Sequence, residues 1–132
     1  MRIQGRTISK GCAEGKALVT REPLSFLGGV DSKTGVVMER GHELEGRSLK
    51  DKILLFPQGK GSTVGSYVLY QMKKNNTAPV GIINLKAEEV VATGAIISGI
   101  PMLDSLKRDP YEILKDGMKV RLDADQGFIE VD

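Results

Sequence analysis

The sequence predicts a mixed α/β domain. Three observations carry that expectation. An apolar run over residues 52–56 reads as a strand buried on both faces. A helical repeat of apolar residues follows it directly, and strand-like segments stand at both ends of the chain. A chain of 132 residues fits one compact domain, residues 1–132, long enough to form a core without disulfides or metal.

Taken in order, residues 1–8 and 15–20 are predicted strands, with β-branched residues bounded by glycine and polar clusters, and 9–14 form the turn between them. Residues 23–31, PLSFLGGVD, contain apolar side chains but end around a double glycine, which suits an ordered loop. Residues 35–39 read as a short strand and 42–49 as a polar connection. After KILLF at 52–56, the segment PQGKGS breaks the strand. Val64, Tyr67, Val68 and Met72 then mark the apolar face of a helix over 63–74, with Lys73 and Lys74 complementing its dipole and Asn75-Asn76 ending it. Residues 80–84 are a second buried strand, and 88–98 a second helix with Gly99 just beyond. Residues 100–103 are extended, and 118–123 with 127–131 form a hairpin around ADQG.

Composition excludes several classes. Nineteen basic residues face seventeen acidic ones, a net charge of +2, too balanced for an electrostatic nucleic-acid binder. The single cysteine, Cys12, rules out an internal disulfide and a cysteine-ligated cluster held by this chain alone, and it reads as a small buried or turn residue. The single histidine, His42, cannot form a metal site and suits a surface or hydrogen-bonded structural role, so no metal ligands are assigned. No apolar stretch approaches the roughly 20 residues of a membrane helix, and MRIQG lacks the apolar core of an export signal. A cytoplasmic, reducing setting without membrane or nucleic-acid partners is expected. With three Phe, three Tyr and no Trp, aliphatic side chains must fill the core.

Chemistry concentrates in Gly59-Lys60-Gly61-Ser62-Thr63-Val64-Gly65-Ser66, between a buried strand and a helix start. Free backbone N–H groups and the positive end of a helix dipole converge there on an anion, and Lys60 adds a cation. A Walker phosphate loop is excluded: Gly61 follows Lys60 where Ser or Thr is required, and Leu55 stands at the first glycine position. The plain alternative is a helix start with Ser62 as N-cap. For residues 24–31 the plain alternative is a structural turn anchored by Phe26 and Leu27. Glu88 and Glu89 need no role beyond complementing a helix dipole.

Together with Thr34-Gly35, Ala78-Pro79, Gly94-Ala95-Ile96-Ile97 and Ile100-Pro101, the strings PLSFLGGVD and FP-x-GKGSTVGSYVLY resemble the small subunits of the aconitase X group over nearly the whole chain. The likeness is strongest to the archaeal branch that dehydrates (R)-5-phosphomevalonate to trans-anhydromevalonate 5-phosphate in a mevalonate route. The resemblance implies a swivelling β/β/α domain of the aconitase small-subunit type. It also implies a large partner subunit that holds a [4Fe–4S] cluster, and a phosphorylated hydroxy acid as substrate. It makes Ser62 the proton acceptor. A serine hydroxyl is a poor base unless its alkoxide is stabilised, and the helix start, the N–H groups and Lys60 are features that stabilise one. On this reading Lys60, Gly61, Thr63 and Ser66 shape the anion pocket, while Ser25, Gly28, Gly29 and Asp31 contact substrate. Two other readings stand beside it: a relative acting on another hydroxy acid such as a hydroxyproline, and a non-catalytic module binding a phosphorylated ligand.

Overall fold

The computed structural model describes residues 1–132. Its elements are β1 (Arg2–Gln4), β2 (Arg6–Ser9), β3 (Cys12–Val19), β4 (Lys52–Phe56), α1 (Gly65–Lys74), β5 (Gly81–Asn84), α2 (Glu89–Ser98), β6 (Met102–Asp104), α3 (Pro110–Ile113), β7 (Lys119–Asp123) and β8 (Phe128–Glu130). All eight strands join one sheet in the order β1-β8-β7-β3-β4-β5-β6-β2. The neighbours β3, β4, β5 and β6 are parallel and the rest antiparallel. Parallel neighbours need crossover connections, and α1 and α2 supply them between β4, β5 and β6.

The parallel strands explain the continuous apolar run. Successive side chains of a strand point to opposite faces. Leu54, Phe56, Ile82 and Met102 enter one core with Leu69 and Met72 of α1 and Val91 and Ala95 of α2. Ile53, Leu55, Ile83 and Leu103 enter a second core with Val120, Leu122 and Ile129 of the antiparallel strands and Tyr111 of α3. Helices, parallel strands and antiparallel strands thus stack as three layers, the β/β/α architecture that the resemblance implies.

Residues 1–8 are two strands, not one. β1 pairs with β8 at one end of the sheet and β2 with β6 at the other, and only Gly5 separates them. The sheet therefore curls until its two edges meet at Gly5, whose N–H donates to Gly127 O at 2.9 Å. A Cβ at that position would lie 2.6 Å from Leu106 Cδ2 and 2.9 Å from Asp104 O. The following strand begins at Cys12 rather than at residue 15, so the turn shrinks to Lys10-Gly11, and Cys12 is exposed rather than buried or in a turn. Residues 35–39 form no strand. Val36 and Val37 make only isolated bridges to Ser48 and Val30. The 42–49 connection is anchored rather than purely polar, since His42, Leu44 and Leu49 are buried. Leu44 N donates to His42 Nδ1 at 3.0 Å, which leaves Nε2–H to donate to Pro23 O at 3.0 Å, so this histidine takes the hydrogen-bonded role and not a surface one. No helix is long and apolar enough to cross a membrane.

α1 starts two residues later than the pattern suggests, and its buried face is Gly65, Ser66, Leu69 and Met72, while Val64 and Tyr67 are exposed. Packing against α2 decides this. A Cβ on Gly94 would meet Leu69 Cδ2 at 3.0 Å and Ser66 Cα at 3.2 Å, so small residues let the two helices approach. α2 is capped at both ends: Gly99 stands just beyond it as its sequence predicts, whereas Glu88, read as its first residue, is its N-cap. Glu88 accepts from Val90 N at 2.9 Å and Val91 N at 2.7 Å, and Gly99 closes the helix at φ 68°. The α3 turn carries no periodic signal and was not expected. Asp109 caps it by accepting from Tyr111 N, with Pro110 at its first position.

Candidate active site

Residues 57–64 leave the carboxyl end of β4 and lead into α1. They are held by the 23–31 loop. Leu24 N donates to Gln58 O at 3.3 Å, and Lys60 N donates to Leu24 O at 3.1 Å. Phe26 packs edge-on against Phe56 with ring centroids 6.1 Å apart, pinning the loop to the end of β4. The two glycine-rich segments predicted from sequence are thereby neighbours. Ser25 lies against Gly61, which takes a φ of 90° that L side chains rarely adopt.

The backbone N–H groups of Gly61, Ser62 and Thr63 have no acceptor within the chain. The next one, Val64 N, donates to Ser62 Oγ at 3.1 Å. Consecutive N–H groups at a helix start make an anion-binding concavity, and the helix dipole adds to it. Ser62 is exposed, and its hydroxyl is not the helix cap: α1 has Val64 as N-cap with no side-chain cap. Ser62 Oγ therefore accepts one N–H, beside further unpaired N–H groups, a setting that favours negative charge on that oxygen.

The other predicted residues take distinct places. Lys60 Nζ donates to Glu39 Oε2 at 2.8 Å, so the cation is paired. Thr63 is exposed at the mouth, whereas Ser66 is buried and donates its hydroxyl to Thr63 O at 3.1 Å, bracing the turn. Ser25 donates to Leu27 O at 2.9 Å, and Gly29 packs so closely on Ser25 O that a Cβ would collide with it. Gly28 is exposed in open space. Asp31 faces its own turn, where it accepts from Lys33 N at 2.8 Å, and nothing links it to Ser62. Two carboxylates near the site escaped sequence reasoning. Glu39 lies 21 positions before Lys60, a separation without a local signal. The Glu88 carboxylate lies against Gly59, and its position at a helix start had a sufficient local explanation.

This chain offers no ligand set for an iron–sulfur cluster. Cys12 opens β3, at the opposite end of the parallel strands from Ser62, with Asp123 and Asp125 as neighbours. Partial desolvation of the thiol by its neighbours and hydrogen bonds to those two carboxylates push its pKa up, away from the thiolate that metal binding needs.

The family model described as the aconitase X swivel domain matches residues 2–131. The chain is 60% identical over 131 residues to the phosphomevalonate dehydratase small subunit of Methanosarcina acetivorans, covering 99% of this chain and 91% of that one. The crystal structure of Thermococcus kodakaraensis aconitase X in its holo-form superposes with a TM-score of 0.94 at 55% identity, covering 100% of this chain and 98% of that one. A solution NMR structure of a UPF0107 protein gives a TM-score of 0.90 at 47% identity, covering 100% and 99% of the two chains.

Proposed function

The chain belongs to the aconitase X swivel domain family, and from that membership we propose that, as the small subunit of a phosphomevalonate dehydratase, it supplies Ser62 as the base. The reaction removes a proton from the carbon next to the carboxylate of (R)-5-phosphomevalonate and hydroxide from the adjoining carbon, giving trans-anhydromevalonate 5-phosphate and water.

Ser62 Oγ takes the proton. The observation that carries this role is the set of unpaired N–H groups of Gly61, Ser62 and Thr63 around a serine oxygen that already accepts from Val64 N. They stabilise negative charge on the serine oxygen before proton transfer and on the substrate carboxylate as charge moves into it. Lys60 is held beside this concavity by Glu39, and an arriving anion competes with that carboxylate for the ammonium group. Ser25 and Gly29 fix the wall opposite Gly61. Gly28 and Thr63 are exposed on the substrate side, Ser66 holds the turn in place, and Asp31, engaged in its own turn, is left out of the substrate contacts.

Within this chain no metal-ligand group stands beside the concavity to draw off the departing hydroxide. That task falls to the larger partner, on which we place the [4Fe–4S] cluster. Exposed Leu27, Val64 and Tyr67, in or next to the two segments that build the site, offer that partner an apolar surface. The test is an anaerobic assay with phosphomevalonate followed by phosphorus NMR. Dehydration that requires both chains supports the assignment, and turnover by either chain alone refutes it.

A further inference from the structure

We propose that a cavity at the carboxyl ends of β4, β5 and β6, lined by Arg21, Asn84, Lys107 and Arg108, holds the phosphate monoester end of the substrate; this rests on the reaction assigned above. The cavity measures about 490 Å³, enough for a small phosphorylated acid. It sits where ligands enter parallel α/β sheets, outside the carboxyl ends of the strands. It meets the candidate-site segment at Pro57. Pro57 lines it, opens the segment that leads to Ser62, and accepts from Leu85 N at 3.1 Å.

Its cations are free to bind. Arg21, Lys107 and Arg108 are exposed, and none is within ion-pair distance of a carboxylate. Arg21 stacks over the Tyr111 ring at 4.5 Å, which orients its guanidinium without using an N–H. Arg108 donates only to Met1 Sδ, a weak acceptor. Ser105, in the cavity wall, holds a φ of 52°, a strained conformation for a residue other than glycine.

Asn84 supplies the second, independent observation. It is fully buried, and its Nδ2 donates to Phe56 O at 3.0 Å and Ile83 O at 3.3 Å, which fixes the amide. Its Oδ1 has no partner in the chain. The one carboxylate in the lining, Asp109, is engaged as the cap of α3, accepting from Tyr111 N at 2.9 Å. An acceptor in a wall that also carries three cations does not suit a carboxylate or sulfate, which at neutral pH have no proton to donate. A phosphate monoester has both properties: negative oxygens for the cations and, with a second pKa near 6, a P–OH donor in part of the population at neutral pH.

The test has two readouts. The isotope-labelled chain is titrated with inorganic phosphate and with sulfate and followed by NMR. Phosphate is expected to shift the Asn84 side-chain amide and the backbone amides of residues 105–109, with sulfate leaving the Asn84 amide in place. In the assembled two-chain enzyme, Lys107→Gln and Arg108→Gln are each expected to raise KM for phosphomevalonate, and the inhibition constant of phosphate, about tenfold, with kcat within about twofold. Shifts confined to residues 61–63, or unchanged KM and inhibition constants in both variants of an active enzyme, overturn the cavity assignment alone. A wild-type complex that turns over no phosphomevalonate refutes the reaction instead, and the Asn84 shift with phosphate then decides the cavity independently.

Discussion

Ser25 fills the space that a side chain at position 61 would need: a Cβ on Gly61 would stand 2.6 Å from Ser25 Oγ. Gly61 also holds a φ of 90°. The contact sets the spacing between the 23–31 loop and the concavity, so Gly61→Ala is expected to displace Ser62. Turnover of the assembled enzyme should fall about 100-fold, the scale expected when a reacting group moves by about 1 Å. Stability should fall by only about 1–2 kcal/mol for the left-handed backbone. Adding Ser25→Gly relieves the collision but not the backbone strain, so the double variant should recover only part of the rate. Steady-state kinetics and urea unfolding of both variants check this.

Ser62→Ala removes the proposed proton acceptor and keeps the backbone N–H groups. Loss of a positioned base costs about 10²–10⁴-fold in turnover. Fold and assembly should persist, because the Ser62 side chain is exposed and does not cap α1. Size-exclusion chromatography of the complex alongside kcat separates the two effects. Near-normal turnover in an intact complex would remove Ser62 from the mechanism.

How much of this could be read from sequence follows from which interactions are local. The β4 run was readable because Ile53 and Leu55 enter one core while Leu54 and Phe56 enter the other, leaving no polar alternation. The Gly61–Thr63 concavity was readable because its glycine, hydroxyls and helix start are contiguous. The break at Gly5 was not, since it depends on β1 finding β8 and β2 finding β6 at opposite edges of a curled sheet. Nor was the buried face of α1, which Gly94 on the neighbouring helix decides. The Glu39–Lys60 pair and the unpartnered Asn84 oxygen are properties of the assembled fold.

Asp104 ties the edge strand β2 to β6 and to the segment before α2, and it predicts an acid dependence of stability. It accepts from Arg6 Nε at 2.8 Å and Nη2 at 2.6 Å, and from Ala87 N at 2.7 Å. Burial acts to raise the carboxyl's pKa, but the hydrogen bonds from Arg6 and Ala87 outweigh it and hold the group below its ordinary 3.8. With the folded value below the unfolded one, the stabilisation is complete above about pH 4 and is lost as pH falls through the folded value. Asp104→Asn should cost about 1–3 kcal/mol at neutral pH, with the cost shrinking below pH 4. Urea unfolding of both proteins at neutral pH and near pH 3 measures the difference; a cost independent of pH would contradict the charge pairing.

Tyr111 makes the corresponding prediction in alkali. Its hydroxyl donates to Thr20 O at 2.7 Å, tying α3 to the end of β3. Burial pushes the phenol from 10.0 up to about 12; Arg21 pulls the other way, while Asp109 and Glu43 add to the rise. A folded value above the unfolded one means that this stabilisation is complete below pH 10 and is lost as pH climbs toward about 12. In the phenolate absorbance of the folded chain, one tyrosine should therefore titrate about two pH units above an ordinary phenol near 10. Tyr111→Phe should remove that late step and cost about 1 kcal/mol at neutral pH, the scale of one buried hydrogen bond. Because Arg21 stacks on the same ring, the variant also tests the proposed phosphate cavity. The ring survives the substitution, so KM for phosphomevalonate should stay near wild type, whereas Tyr111→Leu, which removes the stacking platform, should raise it.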